Sequence, residues 1–161
     1  MPRIKYKKPL SLILLFSIFA IITAYFIQYE LGHQPCNLCL IERIPYIFSI
    51  IIILLCFFFQ KFEKVVLIIL SLTFFTAFLL SFYHFGIEQG FVNESLVCDL
   101  NSPSNDLTKE ALLDQLKEMP VSCKDVTFKI FGLSLATFNI LISLILSVIT
   151  MKLFLSYEKN K

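Results

Sequence analysis

The stretch Pro35-Cys36-Asn37-Leu38-Cys39-Leu40-Ile41-Glu42-Arg43 runs directly into an apolar segment, Ile44–Phe59. Another apolar segment, Leu10–Ile27, precedes it. A Cys-x-x-Cys pair therefore sits between two hydrophobic runs, at a membrane surface if both runs cross a bilayer. Positions i and i+4 share a helix face. If Cys39 opens the second helix, Arg43 stands one turn below it. A helix N-terminus and a nearby cation both favour thiolate over thiol, and the thiolate is the nucleophile. The local chemistry reads as sulfur redox chemistry within reach of a lipid-soluble reactant. The plainer alternatives are a structural disulfide or half of a metal site.

Working outward, the composition supports membrane spans. Of the 161 residues, 57% are hydrophobic and only 16% are charged. A soluble domain carries about a quarter charged residues. A helix needs about 20 apolar residues to cross a hydrocarbon core. Four candidates emerge: Leu10–Ile27, Ile44–Phe59, Val65–Phe85 and Ile130–Leu155. The second is short, but Pro45 is tolerated in a first helical turn. These spans predict an all-α membrane protein, a four-helix transmembrane bundle over residues 1–161 with one domain and no soluble core. The first run follows Arg3, Lys5, Lys7 and Lys8 but lacks a small-residue cleavage site, so it reads as a retained helix. No basic cluster lies outside the termini, which argues against nucleic-acid binding.

Orientation follows from the basic residues. The tails carry Arg3, Lys5, Lys7 and Lys8 at one end and Lys152, Lys159 and Lys161 at the other. The short loop Gln60–Lys64 carries Lys61 and Lys64. These face the cytoplasm. The loops 28–43 and 86–129 face outward, and the second is net acidic, with eight acidic residues against four lysines. Cys36, Cys39, Cys98 and Cys123 all fall on the outer side, where disulfides form and persist. Cys56 lies within the second span and reads as a small apolar packing residue.

The second outer loop has structure of its own. Leu112, Leu113, Leu116 and Met119 make an apolar stripe at helical spacing within Asp106–Met119. Asp106 or Thr108 caps its start and Pro120 ends it. This amphipathic helix is expected on the bilayer surface or on the protein's outer face. Asn101-Ser102-Pro103-Ser104-Asn105 reads as a flexible turn that sets Cys98 on a mobile arm. His84, in Tyr83-His84-Phe85-Gly86, is expected at the outer surface near the depth of Arg43, as the histidine near a span. Asn139 and the serines of the fourth span are expected to bind neighbouring helices.

Three functions compete. A structural reading braces the loops with two disulfides and leaves Arg43, His84 and the tight Cys-x-x-Cys unexplained. A zinc reading wants two closely spaced pairs, and Cys98 and Cys123 are too far apart in sequence, so no metal is expected. A redox reading uses one pair per loop as a relay. Secreted structural disulfides often lie below about −300 mV and a dedicated periplasmic oxidant near −120 mV, a gap of about 8 kcal/mol for two electrons. Helix-end charge supplies at most about 2 kcal/mol of this. A stronger acceptor is required, and a lipid-soluble quinone is a sensible one. Arg43 and His84 are placed to hold its carbonyl oxygens.

The chain resembles the DsbB family of bacterial thiol oxidases. The matching residues are Cys36-Asn37-Leu38-Cys39-Leu40-Ile41-Glu42-Arg43, Tyr83-His84-Phe85-Gly86-Ile87-Glu88-Gln89-Gly90, Cys98, Pro120-Val121-Ser122-Cys123 and Gly132-Leu133-Ser134-Leu135-Ala136, in that order. The resemblance implies a four-helix bundle in the bacterial inner membrane, with both termini cytoplasmic and the cysteine loops periplasmic. It implies a protein dithiol:quinone oxidoreductase active in disulfide bond formation and electron transport. A DsbA-like thioredoxin-fold partner would attack the Cys98–Cys123 disulfide, with Cys98 taking the mixed disulfide. Electrons would pass to Cys36–Cys39 through a Cys36–Cys123 intermediate, and Cys39 would lie next to ubiquinone or menaquinone, aided by Arg43, with His84 near the ring. Where the family often has tryptophan, this chain has Phe128 and Phe138. A vitamin K epoxide reductase-like enzyme is the nearest other enzyme class, but there the Cys-x-x-Cys comes late in the chain. A disulfide-braced membrane scaffold is the non-enzymatic alternative.

Overall fold

The computed structural model describes residues 6–59, 62–93, 122–124, 128–130 and 132–159. Cys98, the helix expected over Asp106–Met119, the turn at 101–105 and the basic residues Arg3, Lys5, Lys61 and Lys161 lie outside them. The described chain runs α1 (Lys7–Tyr29), α2 (Asn37–Ile41), α3 (Ile44–Phe59), α4 (Glu63–Glu88), β1 (Lys129–Ile130), β2 (Leu133–Ser134) and α5 (Leu135–Lys159). Among the described residues, four stretches are long and apolar enough to cross a membrane: α1, α2 with α3 as Asn37–Phe59, α4, and α5. The protein is an all-α, multi-pass membrane bundle whose strands form one small hairpin. The second span was expected to be short. It reaches 23 residues because α2 adds to it.

The helix ends differ from the apolar runs for physical reasons. Glu63 starts α4 rather than ending a loop, since an acid in the first turn complements the helix dipole. It is buried, and its Oε1 accepts the backbone N–H of Tyr6 at 2.7 Å. The last span begins at Leu135, not Ile130. Residues 129–134 instead fold as an antiparallel hairpin in which Lys129 pairs with Ser134 and Ile130 with Leu133. Gly132 makes that turn at φ +81°, a conformation that costs other residues about 1–2 kcal/mol.

Helix α5 packs most extensively on α4, while α1 packs on α3 and α3 on α4. Leu10, Ile53, Leu67, Leu70 and Phe74 form the core, and Cys56 packs among them at 2% exposure. Small polar residues let the helices approach closely. Ser17, Ser49, Ser71, Ser81, Ser143 and Ser147 are all buried. Ser49 Oγ meets Ser17 Oγ at 3.1 Å, and Ser147 Oγ donates to the Ser71 carbonyl at 3.3 Å. Large apolar side chains such as Leu15, Phe48, Phe82 and Leu155 point outward, as a lipid-facing surface requires.

One end of the bundle gathers Tyr6, Glu63, Lys64 and Ser156–Glu158. Tyr6 Oη donates to Ser156 Oγ at 3.1 Å, and Lys64 pairs with Glu158 at 2.7 Å. The start of α1, the start of α4 and the end of α5 thus share one face. Cys36, Cys39 and Cys123 lie at the other.

Candidate functional site

The site is built where α2 begins. Cys36 has extended backbone angles and is the N-cap of α2, and its Sγ accepts the N–H of Cys39 at 3.4 Å. Cys36 therefore caps the helix that Cys39 was expected to open. The two sulfurs are 3.1 Å apart. Cys36 is 5% exposed, and Cys39 is half-buried beside it.

Helix α2 ends at Ile41, and the chain turns at Glu42 and Arg43 before α3 starts. This break removes the simple i, i+4 relation between Cys39 and Arg43. Arg43 Nη1 instead donates to Gln28 Oε1 at 2.7 Å, and its guanidinium stands 5.0 Å from the centre of the Tyr25 ring. The break also turns Glu42 inward, to 8% exposure.

Glu42 meets His84 from α4. His84 is 3% exposed, and its Nδ1 lies 2.9 Å from Glu42 Oε1. An ionised carboxylate only accepts hydrogen bonds, so Nδ1 carries the proton and Nε2 is turned outward from the pair. Nε2 faces Cys36 Sγ at 3.5 Å. Glu42 Oε2 accepts from Asn139 Nδ2 at 2.8 Å, Asn139 Nδ2 also donates to Ser81 Oγ at 2.7 Å, and Tyr46 Oη donates to Asn139 Oδ1. A polar chain thus runs from Cys36 through His84 and Glu42 to α5.

Hydrogen bonding sets the protonation of the leading sulfur. The bond shared with Cys39 Sγ, and then the bond and positive charge of His84, outweigh burial and hold the Cys36 thiol below the usual thiol range. Cys36 and Cys39 share this bond as one pair, and His84 acts on the Cys36 side of it.

Cys123 returns from the second loop to this place. It is buried in one apolar cluster with Cys36, Leu38 and Ile87. Beside the cluster lies a cavity of about 310 Å³. Phe19, Ile27, Phe128 and Phe138 supply apolar wall, while Cys36, Cys39, Arg43, His84 and Asn139 supply polar groups. A cavity of this size is at the small end of ligand pockets, which combine apolar walls with a few polar groups. Phe128 and Phe138, the two phenylalanines singled out after Cys123 and in the last span, both line it.

Three residues were missed. Glu42 stood unassigned in the Cys-x-x-Cys stretch, although its six-residue offset from Cys36 was visible. His33 also lines the cavity, its ring 5.0 Å from that of Phe128, so His84 is not the sole histidine near the spans. Glu88 is one helical turn after His84, with Oε1 3.8 Å from His84 Nε2 and Oε2 without a hydrogen-bond partner among the described residues. Cys36 Sγ, Cys39 Sγ and a His84 ring nitrogen lie within 4.8 Å of one another. That three-atom group is one short of the four ligands structural zinc takes.

Residues 6–153 match the family described as "Disulfide bond formation protein DsbB". The chain is also similar to "Uncharacterized protein RP370" of Rickettsia prowazekii (strain Madrid E), at 33% identity over 157 residues, covering 95% of this chain and 90% of that protein.

Proposed function

The chain belongs to the DsbB family of membrane proteins of disulfide bond formation, and from that premise we propose that it is a thiol:quinone oxidoreductase of the bacterial inner membrane. In this reading it reoxidises a DsbA-like thioredoxin-fold dithiol protein in the periplasm. Cys98 receives the partner's thiolate, electrons pass from Cys98 and Cys123 to Cys36 and Cys39, and a membrane quinone is the final acceptor. The cysteine loops face the periplasm and both termini face the cytoplasm, in one integral membrane domain.

The observation that carries the reading is the burial of Cys123 and Cys36 in one apolar cluster, with both residues lining the same cavity. A relay needs its two pairs to meet, and a lipid-soluble acceptor needs an apolar slot beside the second pair. The residues fit a quinone. Phe19, Ile27 and Phe138 line the slot, Arg43 offers donors to a quinone's oxygens, and His84, expected near the ring, stands beside them on the cavity wall with its two nitrogens turned to Glu42 and Cys36. When bound, the quinone would supply the two-electron acceptor that cysteine chemistry alone lacks. Arg43, itself held by Gln28, would orient it electrostatically. Cys39, half-buried on the cavity wall, is the sulfur nearest in role to the acceptor.

The test is quinone absorbance over time. Purified protein is mixed with ubiquinone or menaquinone and a reduced thioredoxin-fold partner, with Cys39→Ser in parallel. Consumption by the wild type and not by the variant supports the oxidase. No consumption with either quinone, by protein shown to be folded, favours a disulfide-braced scaffold.

A further inference from the structure

We infer that Glu42 and His84 act as a proton relay for Cys36, which makes Cys36 the sulfur whose proton is held and released in disulfide exchange. The inference rests on the proposed relay of cysteines but assigns a role to residues that relay leaves unused.

Three contacts define the geometry. Glu42 Oε1 fixes the His84 tautomer through Nδ1 at 2.9 Å. That presents Nε2 to Cys36 Sγ at 3.5 Å. Asn139 and Ser81 then hold the carboxylate end from α5 and α4. An acid–base group held by a second, hydrogen-bonded group is the arrangement that activates nucleophiles in general. Neither Glu42 nor His84 needs to touch the acceptor for this. His84 serves Cys36 directly, and Glu42 is a positioning residue acting through His84.

The step balances without a further reagent. When an attacking thiolate breaks a disulfide that contains Cys36, the attacker forms the new S–S bond. Cys36 leaves with the bonding electron pair, and the proton on His84 Nε2 stabilises it. When Cys36 is the attacker, its S–H proton passes to Nε2, and the displaced sulfur carries away the electron pair. In both directions the Glu42 carboxylate stabilises the imidazolium that exists between the two events.

Other titratable groups face this centre. Cys39 comes from α2, Cys123 from the second loop, Tyr46 from α3 and Glu88 from α4. Glu88 is the competing candidate, since its Oε1 lies 3.8 Å from the same Nε2. The contact to Cys36 is the shorter.

The experiment is the pH dependence of iodoacetamide alkylation at Cys36 in the reduced full-length protein, read by peptide mass spectrometry. Neither partner nor quinone is present, so the result is independent of whether the quinone reading holds. The expected result is that Glu42→Gln and His84→Asn each move the Cys36 profile to higher pH by about one unit or more, a tenfold loss of thiolate at fixed acidic pH. Cys39 in the same digests is the internal comparison. Glu88→Gln is expected to leave the Cys36 profile in place. If Glu42→Gln fails to fold, His84→Asn and His84→Gln carry the test. A Cys36 profile unchanged in folded His84 variants overturns the relay, and so does a profile moved by Glu88→Gln but not by Glu42→Gln.

Discussion

Arg43 Nη1 donates to Gln28 Oε1 at 2.7 Å, which ties the start of α3 to the end of α1 along the cavity wall. The Tyr25 ring lies against the same guanidinium. A planar cation stacked on an aromatic ring and held by an amide is oriented before any ligand arrives. Among the described residues its other N–H groups meet no hydrogen-bond acceptor, which suits them to an electron-rich oxygen.

Arg43→Ala is therefore expected to raise the apparent KM for quinone by tenfold or more, with a smaller effect on the rate at which the partner is oxidised. A hydrogen bond to a charged group contributes about 1.5–3 kcal/mol, which sets that scale. Initial rates over a quinone concentration series decide the point. An unchanged KM would remove Arg43 from the site.

The two cysteines of the second loop should behave differently. Cys123 is buried in the same apolar cluster as Cys36, so it is the member suited to internal exchange. Cys98 is then left to meet the partner. Cys98→Ala is expected to abolish a trapped mixed disulfide, and Cys123→Ala to let it accumulate, as seen on non-reducing gels. Equal trapping by both variants would reverse or dissolve the assignment.

The fold was legible because hydrocarbon selects its own residues. Ile44–Phe59 matches α3 in full, and the Leu10–Ile27 run lies inside α1. The ends were less legible, since polar residues such as Glu63 and Glu88 continue a helix once other groups satisfy or bury them. Gly132 was the visible sign that the last span starts late, but it acts through backbone geometry that hydropathy does not register. In the site, the Cys-x-x-Cys and Arg43 stood out by spacing. Glu42 did not, because its meaning comes from His84, 42 positions away, and from Asn139 on the last helix.

Cys56→Ser should leave turnover intact. Cys56 packs with Ile53, Leu67 and Leu70 in the core, at the far end of the bundle from the redox pair. Burying a hydroxyl there costs about 1–3 kcal/mol unless the backbone of its own helix accepts it. A lower thermal midpoint with unchanged specific activity is expected. A loss of turnover in folded protein would mark Cys56 as a third redox site.

Ser49→Ala tests the close approach of α1 and α3. Ser49 Oγ lies 3.1 Å from Ser17 Oγ and 2.8 Å from the Tyr46 carbonyl. Interhelical hydrogen bonds in membranes average only about 0.6 kcal/mol. The alanine variant should shift the thermal midpoint slightly, whereas Ser49→Leu should destabilise much more by forcing the helices apart. Similar midpoints for the two variants would contradict the packing described.

Asn139→Leu should be costlier than any serine change. Asn139 uses both N–H groups, on Glu42 Oε2 and Ser81 Oγ, and its carbonyl accepts from Tyr46. Leucine removes all three bonds at once while roughly keeping the volume. Each buried group left without a partner costs about 1–3 kcal/mol, and more when it is charged. Glu42 is the charged one, so its loss of Asn139 should dominate. The thermal midpoint is expected to fall by about 6 °C or more, from about 1 kcal/mol or more for each of the three groups at 2–4 °C per kcal/mol. Turnover should fall as well, because a carboxylate freed on one side no longer holds His84 Nδ1 in place. Comparing the variant with Glu42→Gln separates the two effects. If Asn139 acts through Glu42, the double variant should be barely worse than Glu42→Gln alone. Additive losses would mean that Asn139 braces α5 independently and that the polar chain from Cys36 ends at Glu42.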